Sequence, residues 1–283
     1  MSLSTHCSLR SLLPNALLRS ALLTRRRRPG ARGAGASCPR RADGYEFAEL
    51  RAYVAGDDPR RIDWAATARA DALQTRVLFE EHALTLAACV DGSACMHVGR
   101  TRTAYDVACE AAQVWYGAAS DDDRCARIGG DRIVSSPHLR GRSAAAFCAL
   151  HREDAQAPRE ALELALAALP RDASLLIVSD FRAIDAIEPM LRACAARFDA
   201  TALLVRDPWR AGLPLGGFVA FRDAASGRVA RAFIGRKERE RYIAAVAARE
   251  AQALARLEGC GLRAGFLEEE DVERDMLRAF GIG

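Results

Sequence analysis

Three apolar runs, each followed within two residues by an aspartate, constrain the fold of this chain most strongly. A near-continuous apolar run is typical of a strand that is covered on both faces. Helical periodicity fills the stretches around these runs, and strands that alternate with helices predict a mainly parallel sheet. We therefore expect an α/β protein whose sheet is sandwiched by helices. The runs and their aspartates are residues 84–90 with Asp91, residues 174–178 with Asp180, and residues 200–205 with Asp207.

Turn signals predict two further pairs of short strands. Gly129-Gly130 joins strands at 124–128 and 131–135, which would form an antiparallel hairpin at one edge of the sheet. A weaker pair is expected around Ser226-Gly227. The remaining predicted elements are strands at 73–80, 218–222, 229–234 and 262–266, and helices at 103–118, 142–151, 159–168, 183–197, 237–257 and 272–280.

The first 42 residues carry nine arginines and no acidic residue, although the whole chain has a net charge of only +4. No apolar run approaches the roughly 18 residues that a membrane span needs. Residues 9–23, followed by the arginines at 25–28, leave three interpretations open. The segment is a short surface helix with a solvated linker, a transit peptide, or a basic arm that contacts an anionic membrane or a nucleic acid.

Nine cysteines are present and none of them forms a Cys-x-x-Cys pair. An odd count without framework spacing argues against a disulfide scaffold and favours a reducing compartment, so we expect a cytoplasmic protein. Several cysteines, such as Cys89 in an apolar run, stand where a small apolar residue would serve.

The carboxyl ends of parallel strands meet at one edge of a sheet, and ligands of α/β proteins bind at that edge. Asp91 and Asp180 are therefore expected to lie close together, with the Ser93 hydroxyl beside them. Such hard oxygen ligands suit Mg²⁺ or Ca²⁺, whereas Cys95 is a soft ligand that suits Mg²⁺ badly. The alternative is that these aspartates cap the loops after the strands.

An enzymatic function has little support in the sequence. No Gly-x-Ser-x-Gly elbow, Walker lysine or His-Glu-x-x-His motif is present, so no complete catalytic set is recognised. The alternative from the enzyme class is a metal-dependent hydrolase that uses Asp91, Asp180 and His97. That alternative requires all three side chains to reach one point.

A charged segment with aromatic anchors lies upstream of the first apolar run. Gly56-Asp57-Asp58-Pro59 predicts a turn into a helix, because Asp58 can cap the helix and Pro59 suits its first position. The dense charges around Trp64 are typical of a partner-binding surface. An internal salt-bridge network is the alternative. The candidate partner-binding residues are Arg51, Asp57, Asp58, Arg60, Asp63, Trp64 and Arg69.

These residues resemble the signature of the bacterial DUF58 family over roughly residues 44–283. The matching motifs are Glu46-Phe47, Leu50-Arg51-x-Tyr53, Gly56-Asp57-Asp58-x-Arg60-x-Ile62-Asp63-Trp64, Ala68-Arg69, Val90-Asp91-x-Ser93, Asp207-Pro208-Trp209, Leu213-Pro214 and Arg241-Tyr242.

The resemblance implies a fold similar to von Willebrand factor A domains and no defined enzymatic activity. It also implies a partnership with a MoxR-type AAA+ ATPase, beside which such proteins are typically encoded, in maturing or assembling protein complexes. The metal motif of A domains reads Asp-x-Ser-x-Ser with a later Thr and a later Asp. Asp91, Ser93 and Asp180 match that motif, Cys95 departs from it, and Ser143 is the candidate for the loop ligand.

We therefore expect a cytoplasmic, non-catalytic adaptor with a degenerate metal site, for which Mg²⁺ is the ion expected. Its partners would be a MoxR-type ATPase and a protein client, with no nucleic acid and with peripheral membrane contact open to the N-terminal arginines. The expected organisation is an arginine-rich segment and linker at 1–43, and a domain at 44–283. Within the domain, residues 44–81 hold the signature, 82–211 the core, and 212–283 the C-terminal strands and helices.

Overall fold

The structure is a computed structural model that describes residues 6–27, 46–54, 57–70, 72–79, 84–120, 123–129, 132–136, 157–213 and 216–282. The chain divides into two compact units. Residues 1–24 and 84–283 form the main unit, and residues 25–83 form the small unit. This grouping joins the first 24 residues to the main unit, whereas the sequence sets 1–43 apart. The helix predicted at 142–151, Ser143, and Gly56 lie outside the described residues.

The main sheet is mainly parallel and carries an antiparallel hairpin at one edge, as the sequence predicts. Six strands form it in the order β10-β7-β6-β3-β4-β5. All neighbours pair in parallel except β4 and β5. β8 and β9 form a separate antiparallel pair. In chain order the described strands are β1 (Glu46–Ala52), β2 (Gln74–Phe79), β3 (Thr85–Val90), β4 (Arg124–Gly129), β5 (Arg132–Ser136), β6 (Ser174–Ser179), β7 (Asp199–Val205), β8 (Gly217–Arg222), β9 (Val229–Ile234) and β10 (Arg263–Leu267).

Helices cover both faces of the main sheet. Along β3, Leu86 and Ala88 belong to one apolar cluster, whereas Ala87 and Cys89 belong to the other. This alternation explains why the strand reads as an uninterrupted apolar run. The described helices are α1 (His6–Arg27), α2 (Trp64–Thr67), α3 (Ala104–Gly117), α4 (Pro158–Ala168), α5 (Ile184–Arg197), α6 (Arg236–Gly259) and α7 (Val272–Ala279). The first cluster lies among α1, α3 and α7, and the second among α4, α5 and α6.

The N-terminal helix α1 packs into the main unit, unlike the surface helix that the sequence favours. Leu18 and Leu22 are fully buried and belong to the same apolar cluster as Trp115. Arg19 pairs with the buried carboxylate of Asp123 and donates to the carbonyl of Ala118 at 3.3 Å. The side chains of the arginines at 25–28 lie outside the described part of the chain. No helix in the described ranges is long and apolar enough to cross a membrane.

The small unit is built on the antiparallel pair β1–β2, and capping aspartates shape the turn between the strands. Asp58 accepts from the backbone N–H of Arg60 at 2.9 Å and caps the short 3₁₀ helix Pro59–Arg61. Asp63 accepts from the backbone N–H of Ala66 at 2.9 Å and caps α2. The turn into a helix at Asp58 and Pro59 is therefore present, although its first helical element is a single 3₁₀ turn.

The burial of α1 predicts that Leu18→Ala destabilises the main unit. Loss of a fully buried leucine should lower the free energy of unfolding by about 2–5 kcal/mol, measured by denaturant titration. Leu17→Ala is the matched control, because Leu17 lies on the same helix and is 44% exposed. The control should change the free energy by less than about 0.5 kcal/mol. Equal effects of the two substitutions would contradict the packing of α1.

Candidate functional site

The candidate site lies at the carboxyl ends of β3, β6 and β7, which are neighbours in the main sheet. Asp91 and Asp180 directly follow β3 and β6, and Asp207 lies two residues beyond β7. Because β3 and β6 pair in parallel, both ends open onto the same edge. The structure thus brings Asp91 and Asp180 together, and it places Asp207 on the neighbouring strand end.

Asp91 joins β3 to β6 through its backbone and its side chain. Its N–H donates to the carbonyl of Val178 at 2.9 Å. The Ser179 hydroxyl donates to Asp91 Oδ2 at 2.5 Å, and the Ser93 N–H donates to Oδ1 at 2.8 Å. Asp91 is only 4% exposed. Both oxygens of this buried carboxylate therefore have donors within the protein, as burial of a charge requires.

Asp180 is paired with Arg182, two residues further along the chain. The Arg182 backbone N–H donates to Asp180 Oδ1 at 3.0 Å, and Arg182 Nε lies 3.0 Å from Oδ2. Burial raises the pKa of Asp180, and the negative charge of Asp91 adds to that rise, whereas both contacts from Arg182 oppose it. Asp91 and Asp180 thus lie close enough for the charge of one to affect the ionisation of the other.

The residues after Asp91 form a short 3₁₀ helix, Ala94–His97, which begins after Ser93. The Ser93 side chain makes no capping hydrogen bond to that helix. Cys95 is partly buried and lines the same crevice as Asp180 and Arg182. Burial first, and then the charge of Asp180, raise the pKa of the Cys95 thiol, so it is a poor thiolate ligand at neutral pH.

Asp207 is the most heavily bonded carboxylate of the site. Its Oδ1 accepts from the Trp209 N–H at 3.0 Å and from the Tyr242 hydroxyl at 2.8 Å. Its Oδ2 lies 3.1 Å from Arg249 Nη2 and 3.4 Å from Arg182 Nη2. Two motifs that lie 35 residues apart in the chain, around Asp207 and Tyr242, therefore meet at one carboxylate.

A buried glutamate extends this network along the sheet edge. Glu250, on α6, accepts from the Asp207 N–H at 3.1 Å through Oε1, and its Oε2 lies 3.8 Å from Arg206 Nε. Arg206 also reaches Glu268 Oε1 at 2.5 Å and stacks over the Phe266 ring, 4.0 Å from its centroid. Buried carboxylates thus contact guanidinium groups along this edge of the sheet.

The residues as arranged do not fit the Mg²⁺ ion that the motif resemblance implies. Both oxygens of Asp180 are held by Arg182, whose positive charge opposes a second cation at that carboxylate. The third motif position is the protonated thiol of Cys95, which is a soft donor. No group of three or more His, Cys, Asp or Glu side chains within the described ranges is arranged to hold a metal ion.

His97 does not join the two aspartates in such a group. Its ring packs against Tyr105, with centroids 4.9 Å apart, and it is absent from the residues that line the Asp180 crevice. The geometry required by the metal-dependent hydrolase, in which His97, Asp91 and Asp180 reach one point, is not found among these residues.

The candidate partner-binding residues of the small unit fall into two groups. Asp57 is buried and accepts from Arg51 Nη2 at 2.7 Å and from the Val54 N–H at 2.9 Å. Asp58 and Asp63 are the capping residues, and Asp63 also accepts from Arg76 Nε at 2.8 Å. The backbone hydrogen bond from Ala66 and the contact with Arg76 lower the pKa of Asp63.

The other group consists of exposed cationic and aromatic side chains, although the capping residue Asp58 is exposed as well. Trp64 is 68% exposed, and the side chains of Arg60 and Arg69 are exposed as well. Sequence reasoning predicted the cap at Asp58, but it did not separate these three from Asp57 and Asp63, because the roles of those aspartates depend on backbone geometry. Sequence reasoning also missed Arg182, Arg249 and Glu250. None of these three residues belongs to a matching motif, and the only signals for this part of the site are the Asp207-Pro208-Trp209 and Arg241-Tyr242 matches.

Removal of the Tyr242 hydroxyl should destabilise the protein through Asp207. Burial and the hydrogen bond to Asp207 raise the pKa of Tyr242, so the phenol remains a donor. Tyr242→Phe keeps the ring and removes that donor, and a hydrogen bond to a charged group contributes about 1.5–3 kcal/mol. We expect a decrease of this size in the free energy of unfolding by denaturant titration. An unchanged value would contradict the contact.

The raised pKa of Asp180 predicts a specific pH dependence. Because the folded protein keeps this proton to higher pH than the unfolded chain, ionisation of Asp180 lowers the free energy of unfolding as pH rises. Asp180→Asn cannot ionise, so its free energy of unfolding relative to wild type should increase between about pH 4 and about pH 7. Denaturant titrations of both proteins across that range test this. A constant difference would contradict the raised pKa.

Comparison with solved structures gave two distant matches. Conserved hypothetical protein BatB from Bacteroides thetaiotaomicron matches with a TM-score of 0.45 and 14% identity, over 70% of this chain and 97% of that chain. An aerotolerance-related membrane protein from Bacteroides fragilis matches with a TM-score of 0.42 and 14% identity, over 70% of this chain and 96% of that chain.

Comparison of sequences gave nearer relatives. The uncharacterized protein Rv1480 of Mycobacterium tuberculosis and the uncharacterized protein Mb1516 of Mycobacterium bovis are each 32% identical to this chain over 237 residues, which cover 77% of this chain and 73% of the relative. The family model described as "Protein of unknown function DUF58" matches residues 49–252. On these matches the chain belongs to the DUF58 family.

Proposed function

We propose that this protein is a non-catalytic adaptor that binds other proteins through a von Willebrand factor A-like core. It works with a MoxR-type AAA+ ATPase in the maturation or assembly of protein complexes in the cytoplasm. The observation that carries the proposal is the edge where Asp91, Asp180 and Asp207 meet. Their oxygens are occupied by serine, tyrosine, backbone and arginine donors, an arrangement that suits recognition of another molecule more than proton transfer or nucleophilic attack.

The sheet supports the A-like assignment. Asp91 and Ser93 follow a central parallel strand, and Asp180 follows the strand beside it. In an open parallel sheet, ligands bind beyond the carboxyl ends of such strands. We propose that this edge is a degenerate adhesion site that contacts an acidic group of a protein client.

The small unit supplies the surface that we assign to the ATPase. Large apolar side chains and the arginines at 60 and 69 are exposed in this unit, and such a mixture is typical of an interface. The exposed apolar residues are Leu50 at 41%, Val54 at 59%, Trp64 at 68% and Leu73 at 43%. Asp57, Asp58 and Asp63 position this surface through the caps and ion pairs described above.

A pull-down against the MoxR-type ATPase tests this assignment. Trp64→Ala and Arg60→Ala remove exposed side chains, and truncation of an interface tryptophan typically costs about 2 kcal/mol or more, which corresponds to about thirtyfold weaker binding. We expect both variants to lose capture with an unchanged melting temperature. Asp57→Ala and Asp63→Ala should lower the melting temperature as well, because both carboxylates hold backbone N–H groups.

Phe218→Ala is the matched control for Trp64→Ala, because Phe218 is an aromatic residue that is 90% exposed in the main unit. This control should capture the ATPase as well as the wild type does. Capture that survives both Trp64→Ala and Arg60→Ala would contradict docking through the small unit. Loss of capture in Phe218→Ala alone would move the interface to the main unit.

A further inference from the structure

At the sheet edge, Arg182 pairs with Asp180, one of the residues that match the metal motif. Three carboxylates converge from adjacent strand ends, and Arg182 touches two of them. Its Nε lies 3.0 Å from Asp180 Oδ2, and its Nη2 lies 3.4 Å from Asp207 Oδ2. A guanidinium in this position supplies the positive charge that neighbouring carboxylates need when they are withdrawn from water.

A second arginine supports the same carboxylate from another element. Arg249 Nη2, from α6, lies 3.1 Å from Asp207 Oδ2. Arg182 and Arg249 therefore approach one oxygen from two sides, and both line the crevice together with Trp209. The pair is held by contacts among the loop after β6, the loop after β7 and α6, so its geometry is set before any ligand arrives.

The charges are layered in a way that favours an anionic ligand. The Asp207 and Asp180 side chains are 3% and 16% exposed, whereas those of Arg182 and Arg249 are 48% and 41% exposed. The carboxylates therefore lie beneath, and the guanidiniums face the solvent. Each guanidinium has five N–H donors in a planar fork, so it can hold an internal carboxylate and still bind a second one.

We propose that Arg182 is a built-in cation of this site and that it binds, with Arg249, a carboxylate of the protein client without a divalent metal ion. This inference rests on the proposed adaptor function and specifies its chemistry. The metal that completes an adhesion site elsewhere is replaced here by a side chain of the same chain, and the planar guanidinium pairs with a carboxylate in a bidentate manner.

Fluorescence anisotropy with a labelled hexaglutamate peptide tests the proposal on the full chain. Wild type should bind the peptide equally well in EDTA and in Mg²⁺. Arg182→Gln should weaken binding by about tenfold or more, because a charge-assisted hydrogen bond is lost, and Arg182→Lys should restore part of it. Arg236→Gln is the matched control, since it removes the same charge from a side chain that is 91% exposed on α6.

Two outcomes of that experiment would overturn the proposal. Binding that disappears in EDTA would show that a metal ion supplies the charge, and this comparison needs no variant. Equal losses in Arg182→Gln and Arg236→Gln would show that the peptide responds only to net charge. Melting temperatures accompany each measurement, and Arg249→Gln provides a second variant of the same crevice if Arg182→Gln does not fold.

Calorimetric titration with MgCl₂ separates the guanidinium from the thiol as the group that excludes the ion. Wild type and Cys95→Ser should both bind no Mg²⁺, because Arg182 remains in place in each. Binding of Mg²⁺ by Cys95→Ser would show that the thiol excludes the ion, and it would overturn the role of Arg182.

Competition against the labelled peptide tests whether the site selects a carboxylate. Glutarate, a dicarboxylate, should displace the peptide better than inorganic phosphate does. Equal displacement by the two anions would contradict selection of a carboxylate.

Peptide binding and capture of the ATPase test the carboxylate site and the adaptor function separately. If wild type captures the ATPase but its peptide binding does not depend on Arg182, the role proposed for Arg182 is wrong, whereas the adaptor function is still supported. If peptide binding depends on Arg182 but the ATPase is not captured, the ATPase partnership is wrong, whereas the carboxylate site is still supported.

Discussion

Asp207 is the charge on which the edge of the main sheet depends. Its carboxylate is almost fully buried, and it is held by donors from the loop after β7, from α6 and from the loop after β6. An unpaired carboxylate in this position would cost several kcal/mol. Since no single donor compensates that cost, the three segments must be in place together. This buried charge therefore adds polar contacts to the apolar packing of α6, and it helps to position Arg182.

The chain reaches this arrangement through one unusual backbone conformation. Phe181 has a φ of 47°, in the left-handed region that a bulky side chain rarely adopts. Such a residue costs about 1–3 kcal/mol unless its surroundings hold it. Here the ring is buried in the second apolar cluster, and the Phe181 N–H donates to Ser179 Oγ at 2.9 Å. Arg182 follows Phe181 directly and pairs with Asp180, which lies two residues before it.

The sequence predicts the sheet well and the site only in part, for physical reasons. Strands such as β3 and β6 read as apolar runs because both their faces are covered, and their parallel order fixes where Asp91 and Asp180 must meet. Burial of α1 was not predicted, because a helix broken by Arg10, Pro14 and Arg19 shows only a weak apolar face. Arg182 was not predicted either, because its role comes from the turn at Phe181 and from tertiary contacts with Asp207, neither of which leaves a periodic pattern.

Both units combine aspartates that accept internal hydrogen bonds with arginines that are exposed. In the small unit, aspartates cap helices or hold Arg51, while Arg60 and Trp64 lie exposed; at the sheet edge, aspartates lie beneath Arg182 and Arg249. The chain has a single lysine, Lys237, so nearly every cationic side chain is a guanidinium. An ammonium group is a compact, strongly hydrated charge, whereas a guanidinium can bind a carboxylate along one edge of its plane and keep donors along another. An arginine held from within thus remains able to bind outward, and the buried aspartates orient it at the same time.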